Sequence, residues 1–198
     1  LDRDMRRTAT RPFVTGRFAG GAAWYVGIAL VTLFSCVAAA LATNLAAAVY
    51  IFLGAFTYGV VYTVWLKRRT WLNIVIGGAA GSFAVLAGAA AVDATFAPAP
   101  LILALVLFLW TPPHFWALAF ACRRDYEAAG VPMLPVVVSE GVATRTILAH
   151  AIALVVLSVV PFFYGMGWLY LGSAVAGGAY FLRESFRLVG KPTIPQAW

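Results

Sequence analysis

The chain has 198 residues, of which 63% are hydrophobic and only 11% charged, and its mean hydropathy is +0.91. Soluble domains carry about 25% charged residues, so composition excludes a soluble globular enzyme and points to an all-α, polytopic transmembrane helical bundle. The formal net charge of +7 would signal nucleic acid only on a water-exposed surface; in a membrane chain it reports orientation first, and no nucleic-acid partner is expected.

In chain order, the polar arm LDRDMRRTATRPFVTGR comes first, at residues 1–17. A bilayer core needs about 20 mostly apolar residues per helix. Six stretches meet that need, at about 20–42, 45–66, 72–92, 99–121, 145–165 and 167–188. Helices are the default because lipid offers no hydrogen-bond partner to a backbone, and no alternating barrel pattern is present. The links Ala42-Thr43-Asn44 and Gly165-Met166-Gly167 are tight, and Pro98 and Pro100 mark the start of the fourth span. Two further polar loops are LKRRTWLN, at 66–73, and ACRRDYEAAGVPMLPVV, at 121–137, running on to Arg145. The whole of 1–198 reads as a single transmembrane domain.

With six crossings, all fourteen Lys and Arg residues fall on one face: those of the arm, Lys67 to Arg69, Arg123, Arg124, Arg145, Arg183, Arg187 and Lys191. The positive-inside rule makes that face cytoplasmic, with both ends of the chain on it. Among the acids only Asp93 falls on the other side. Topology alone accounts for basic loops; it accounts less well for Asp2, Asp4, Asp125 and Glu127 gathering among them. Carboxylates and cations together at a membrane face suit a diphosphate carrying Mg²⁺, because the metal takes oxygens from one or two carboxylates and from the phosphates. Exposed loop salt bridges, worth about 0–1 kcal/mol each, fit the same charges. Cys36 and Cys122 fall on opposite halves of the membrane, without metal-ligand spacing, so no disulfide is expected. Gly77, Gly81, Gly177 and Gly178 are best read as close helix contacts.

The stretch WTPPHFW, residues 110–116, interrupts the fourth span. Proline lacks an N–H and pushes the preceding residue away from helical geometry, so Pro112 and Pro113 predict a break or bend. A break at this depth is tolerated where backbone lines a cavity. His114 would then face that cavity among Trp110, Phe115 and Trp116, aromatic surfaces suited to a large, planar substrate. A structural histidine with satisfied partners fits equally well, and is the better reading for His150.

Three blocks resemble a known family. YTVWLKRRTWLNIVIGGAAGS (62–82), FLWTPPHFWALA (108–119) with RRDYEAAGVPMLPVV (123–137), and MRRTATRPFVTGR (5–17) look like the protohaem IX farnesyltransferases, or haem O synthases, of the UbiA-type intramembrane prenyltransferases. The resemblance covers essentially the whole chain, and the TPPHFW-to-DYxxAGVPMLP run separates this family from quinone-type prenyltransferases. It implies a bundle of nine helices, of which this chain carries the third to the eighth, and hence a fragment truncated at both ends and inactive alone. It implies transfer of the farnesyl group of farnesyl diphosphate to a vinyl group of haem b, giving haem O and diphosphate, in a bacterial cell (inner) membrane.

By the same resemblance, Asp2 and Asp125 are the catalytic, Mg²⁺-binding carboxylates. Arg7, Arg11, Lys67, Arg68 and Arg69 bind the diphosphate, and Tyr126 hydrogen-bonds phosphate. His114 is the candidate haem contact, as an axial ligand, since imidazole suits iron. A haem A synthase is the candidate protein partner. Departures from the family pattern are Asp4, where an apolar residue is usual, Arg124, where an aspartate is common, and Ala84-Val85 in place of a Pro-Pro pair. Of the first acidic motif, N-x-x-x-D-x-x-x-D, only the last aspartate has a counterpart, Asp2. The competing readings are prenylation of a quinone precursor or other aromatic acceptor, and a non-catalytic transporter or scaffold. No inverted repeat favours the last.

Overall fold

The computed structural model describes residues 3, 5, 8–94 and 97–197. Asp2 and Arg7 lie outside the described residues, as do Asp4 and Arg6. The described residues hold no strand. The long helices are α1 (Ala22–Ala42), α2 (Leu45–Phe56), α3 (Asn73–Val92), α4 (Pro98–Ala121), α7 (Glu140–Val159) and α8 (Trp168–Gly190). Between α4 and α7 lie two short helices, α5 (Arg123–Ala128) and α6 (Leu134–Val137), and the chain closes with α9 (Ile194–Ala197). A π-helix over Thr57–Leu66 continues α2 in the same rod, and a 3₁₀ turn, Val160–Tyr164, ends α7.

Each long helix packs on the next, α1 on α2, α2 on α3, α3 on α4, α4 on α7 and α7 on α8. Short links force this order at α1–α2 and α7–α8. Asn44 ends the first link twice over: its Oδ1 accepts from the Ala47 N–H at 2.9 Å as an N-cap, and its Nδ2 donates to the Ala90 carbonyl on α3. The cap satisfies an orphan donor that neither lipid nor helix would otherwise meet. Gly165 takes a φ of 93° at the link into α8, a left-handed conformation that side chains disfavour.

Five segments are long and apolar enough to cross a bilayer: Ala22–Ala42, Leu45–Leu66, Asn73–Val92, Pro98–Ala121 and Glu140–Tyr164. Six were expected, and the sixth helix packs back along α7 to place Leu188 in the core with Phe120 and Ile147. The sixth stretch, 167–188, does form a helix, α8, but it is not among those five. Arg183, Glu184 and Arg187 sit in its second half, and it is far more amphipathic than the other long helices. The fifth span also begins earlier than expected, at Glu140, whose carboxylate in the first turn complements the helix dipole.

The expected break at Pro112 and Pro113 does not occur. α4 runs unbroken through both, and both rings are fully buried. The prolines remove two N–H donors, yet burial between α3 and α7 holds the backbone on its helical path. At the preceding turn, Thr111 Oγ1 donates to the Leu107 carbonyl at 3.0 Å.

Small residues set the helix contacts, the expected role for Gly81 and Gly178. A β-carbon at Gly78 would lie 3.1 Å from Thr111, one at Gly81 3.2 Å from Leu107, and one at Gly178 2.7 Å from Val155. Gly177 meets nothing within 4 Å. Lipid provides no hydrophobic drive between helices, so such close approach supplies the van der Waals contact that does. α1 buries no residue, and Phe34 and Leu41 on it stay exposed, as lipid-facing side chains should. The tightest core lies at one end of the bundle, where Trp116 and Phe120 of α4 meet Ile74, Tyr126, Met133, Ile147 and Leu188.

Candidate functional site

Four cavities open around that core. One, of about 340 Å³ and lined by Arg11 and Lys67, lies between the N-terminal arm, the π-helix, α4 and the α5–α6 loop. Arg11 and Thr8 line it from the arm, Lys67 from the end of the π-helix, and Tyr126 from α5. Tyr58, Tyr62 and Thr63 add hydroxyls from the π-helix, while Phe115 and Leu118 of α4 form an apolar wall.

The π-helix places these side chains. The Lys67 N–H donates to the Tyr62 carbonyl five residues back at 2.9 Å, and Thr63 Oγ1 donates to the Tyr58 carbonyl at 2.7 Å. The wider turn brings Tyr58 and Tyr62 to one side, with ring centroids 5.7 Å apart. Lys67 Nζ lies 6.0 Å from the Tyr62 ring centroid. Tyr126 is held by a Schellman closure: Gly130, at φ 63°, donates to the Glu127 carbonyl at 3.0 Å, and the Val131 N–H donates to the Tyr126 carbonyl at 3.0 Å. That turn drives Val131 and Met133 inward, where both are buried.

The same three aromatic residues, Tyr58, Tyr62 and Phe115, also line a second space of about 270 Å³. Its walls are apolar: Gly77, Gly78 and Gly81 of α3 face Leu107, Trp110 and Thr111 of α4. A cationic mouth thus adjoins a greasy groove across one aromatic junction. Such a shape takes an oxyanion with an apolar tail.

The remaining two cavities hold the other candidates. Asp125 lines a space of about 690 Å³ with Arg123, Arg124 and Glu140, beside the cationic cavity rather than in it. Arg123 is engaged in ion pairs, with Glu127 at 2.8 Å and Glu140 at 3.8 Å, so part of this charge cluster is loop salt bridges. His114 lines a cavity of about 520 Å³ between α4, α7 and α8, opposite Tyr180 and Glu184. Leu118 is common to this cavity and the cationic one.

Of the residues expected at a diphosphate site, Arg11, Lys67 and Tyr126 therefore come together. Arg68 and Arg69 are exposed and line none of these cavities. His150 is structural: its Nδ1 lies 2.9 Å from the Thr146 carbonyl, and its ring meets Trp116 edge-on at 5.1 Å. Both cysteines are free. Sequence reasoning missed Tyr58, Tyr62 and Thr63 as site residues. Their signal was hydroxyl-bearing residues recurring through an apolar span just before Lys67.

Among the described residues, the buried Asn73 Oδ1 and Trp116 Nε1 have no hydrogen-bond partner. Among the described residues no three His, Cys, Asp or Glu side chains gather as metal ligands.

The family model for the UbiA prenyltransferase family matches residues 1–198. Over 192 residues the chain is 59% identical to “Protoheme IX farnesyltransferase 2” of Paramagnetospirillum magneticum, covering 97% of this chain and 67% of that protein. It is 53% identical to “Protoheme IX farnesyltransferase 1” of the same organism, covering 96% and 67%. It is 44% identical to “Protoheme IX farnesyltransferase” of a Roseiflexus species, covering 100% of this chain but 37% of that one. The chain thus spans about two thirds of the first two relatives and well under half of the third. No solved structure matches the chain.

Proposed function

The chain belongs to the UbiA prenyltransferase family, and on that premise we propose that the protein carrying it farnesylates protohaem IX. The reaction joins the farnesyl group of farnesyl diphosphate to a vinyl group of haem b, giving haem O and diphosphate. One observation carries this reading beyond the relatives' names: the cavity of Arg11, Lys67 and Tyr126 shares Tyr58, Tyr62 and Phe115 with an apolar groove. Head and tail of a prenyl diphosphate need those two environments side by side.

In this reading Arg11 and Lys67 neutralise the diphosphate oxygens and Tyr126 donates its hydroxyl to one of them. Exposed Arg68 and Arg69 add to the positive field that draws the anion to the mouth. Asp125, with Asp2, would hold Mg²⁺, an ion that keeps few protein ligands and takes the rest from phosphate. When bound, the metal offsets charge developing on the leaving oxygen. The apolar groove keeps water from the prenyl group and so limits its hydrolysis. His114 would contact the haem from the neighbouring cavity, its imidazole suited to the iron.

Five apolar segments make this an integral membrane protein. We assign its basic loops, and both ends of this chain, to the cytoplasmic face of a bacterial cell membrane. A haem A synthase receiving the product is the proposed partner.

The test is turnover by the full-length protein in membranes, given Mg²⁺, farnesyl diphosphate and either haem b or 4-hydroxybenzoate. Farnesylated haem is the expected product. Prenylated hydroxybenzoate without haem O would move the assignment to a quinone-type acceptor, and no prenyl transfer to either would end it.

A further inference from the structure

We infer that the Tyr62 ring is the surface on which the positive charge of the prenyl group is held as its bond to diphosphate breaks. The inference rests on the farnesyl-transfer reading and assigns a residue within it.

Tyr62 stands at the junction. It lines both the cationic cavity and the apolar groove, as Tyr58 and Phe115 also do. A donor with its phosphates against Arg11 and Lys67 and its tail along Gly77 to Gly81 must set its first carbon between them, beside this ring. Its position is built in. A β-carbon on Gly77 would lie 2.8 Å from Tyr62 Cδ2 and 3.0 Å from Cγ, so only glycine at 77 leaves the ring its seat. The ring already faces a cation, Lys67 Nζ at 6.0 Å, whose charge the bound diphosphate would engage.

The chemistry asks for such a surface. As the carbon–oxygen bond opens, its electron pair leaves with the diphosphate oxygen, and the farnesyl group carries a positive charge shared between its first and third carbons. A carboxylate or a water molecule at that point would capture the cation. An aromatic face attracts it through the ring quadrupole and has no lone pair aimed at it. The π electrons of the haem vinyl group then form the new carbon–carbon bond. Water adds to the cation left on the acceptor and releases a proton, so charge balances.

The experiment uses the full-length protein in membranes, with haem O formation and diphosphate release read in parallel. Replacements at position 62 are phenylalanine, leucine and phenylalanines with increasing numbers of ring fluorines. Tyr62→Phe keeps the ring face and is the reference for the fluorinated series. Tyr62→Leu should lower kcat about tenfold while leaving KM for farnesyl diphosphate within about twofold. Across the fluorinated series kcat should fall stepwise, since fluorine drains the ring face with little change of shape. A flat series, or a Leu variant that raises KM alone, overturns the inference, and the fluorinated series decides even if the Leu variant fails to fold. Absence of haem O from wild type indicts the acceptor assignment instead; diphosphate release still scores Tyr62.

Discussion

The imidazole of His114 lies stacked on the indole of Trp110, one turn earlier on α4, with centroids 4.3 Å apart and planes 15° from parallel. Phe115 meets the same imidazole edge-on at 5.1 Å. Pro113, between them, is buried, while His114 itself is exposed to the cavity facing α8. The Pro-Pro-His stretch therefore does not open the helix. It fixes a flat aromatic ledge beside an accessible imidazole.

If His114 ligates haem, His114→Ala in the full-length protein should shift the Soret band of bound haem b and weaken haem binding about tenfold or more. Farnesyl diphosphate binding should not change. An unaltered Soret band and haem affinity would reduce His114 to a wall of the cavity.

Lys67 and Arg68 are neighbours in sequence but not in surroundings, and this separates their expected effects. Arg11→Ala and Lys67→Ala each remove a cation from the shared cavity. Hydrogen bonds to charged groups contribute about 1.5–3 kcal/mol, so kcat/KM for farnesyl diphosphate should fall about 10-fold to 100-fold. Arg68→Ala, at an exposed position, should cost about threefold or less, and that loss should vanish in high salt. Equal losses at Lys67 and Arg68 would contradict the placement.

The role of Asp125 is read by magnesium titration. In Asp125→Asn the carboxylate becomes a neutral amide of the same shape, and the Mg²⁺ concentration for half-maximal haem O formation should rise about tenfold or more. Activity indistinguishable from wild type at limiting Mg²⁺ would remove Asp125 from the metal site.

The glycine pair of α8 offers a test of packing. A side chain at Gly178 collides with Val155 at 2.7 Å, whereas Gly177 next to it meets nothing within 4 Å. Gly178→Val should destabilise the bundle by about 1–3 kcal/mol, the range for overpacking. Gly177→Ala should be neutral or slightly stabilising, because alanine is the better helix former. Unfolding of the purified full-length protein in detergent with increasing SDS measures both.

Hydropathy located every long helix to within a few residues except the start of α7, and the Asn44 and Gly165 links were legible as turns. What resisted was the state of particular residues within those elements. Pro112 and Pro113 predict a broken helix by local rules, yet packing against α3 and α7 overrides them. α8 forms where a sixth span is expected, yet its second half carries Arg183, Glu184 and Arg187 and is less apolar than the other five.

The membrane class and the helix boundaries were legible in the residues alone. These follow from local requirements: a backbone in lipid must bond within its own segment, and a span must be apolar over a fixed length. Packing of the helices turns Lys67 into a shared cavity and Arg68 and Arg69 outward, and brings Arg11 and Tyr126 to Lys67. It also decided that Tyr58 and Tyr62 border both mouth and groove. The physical reason is rotation. Successive helical residues point about 100° apart, and a π-helical stretch resets that angle, so which side chains converge depends on helix phase and neighbours rather than on residue type.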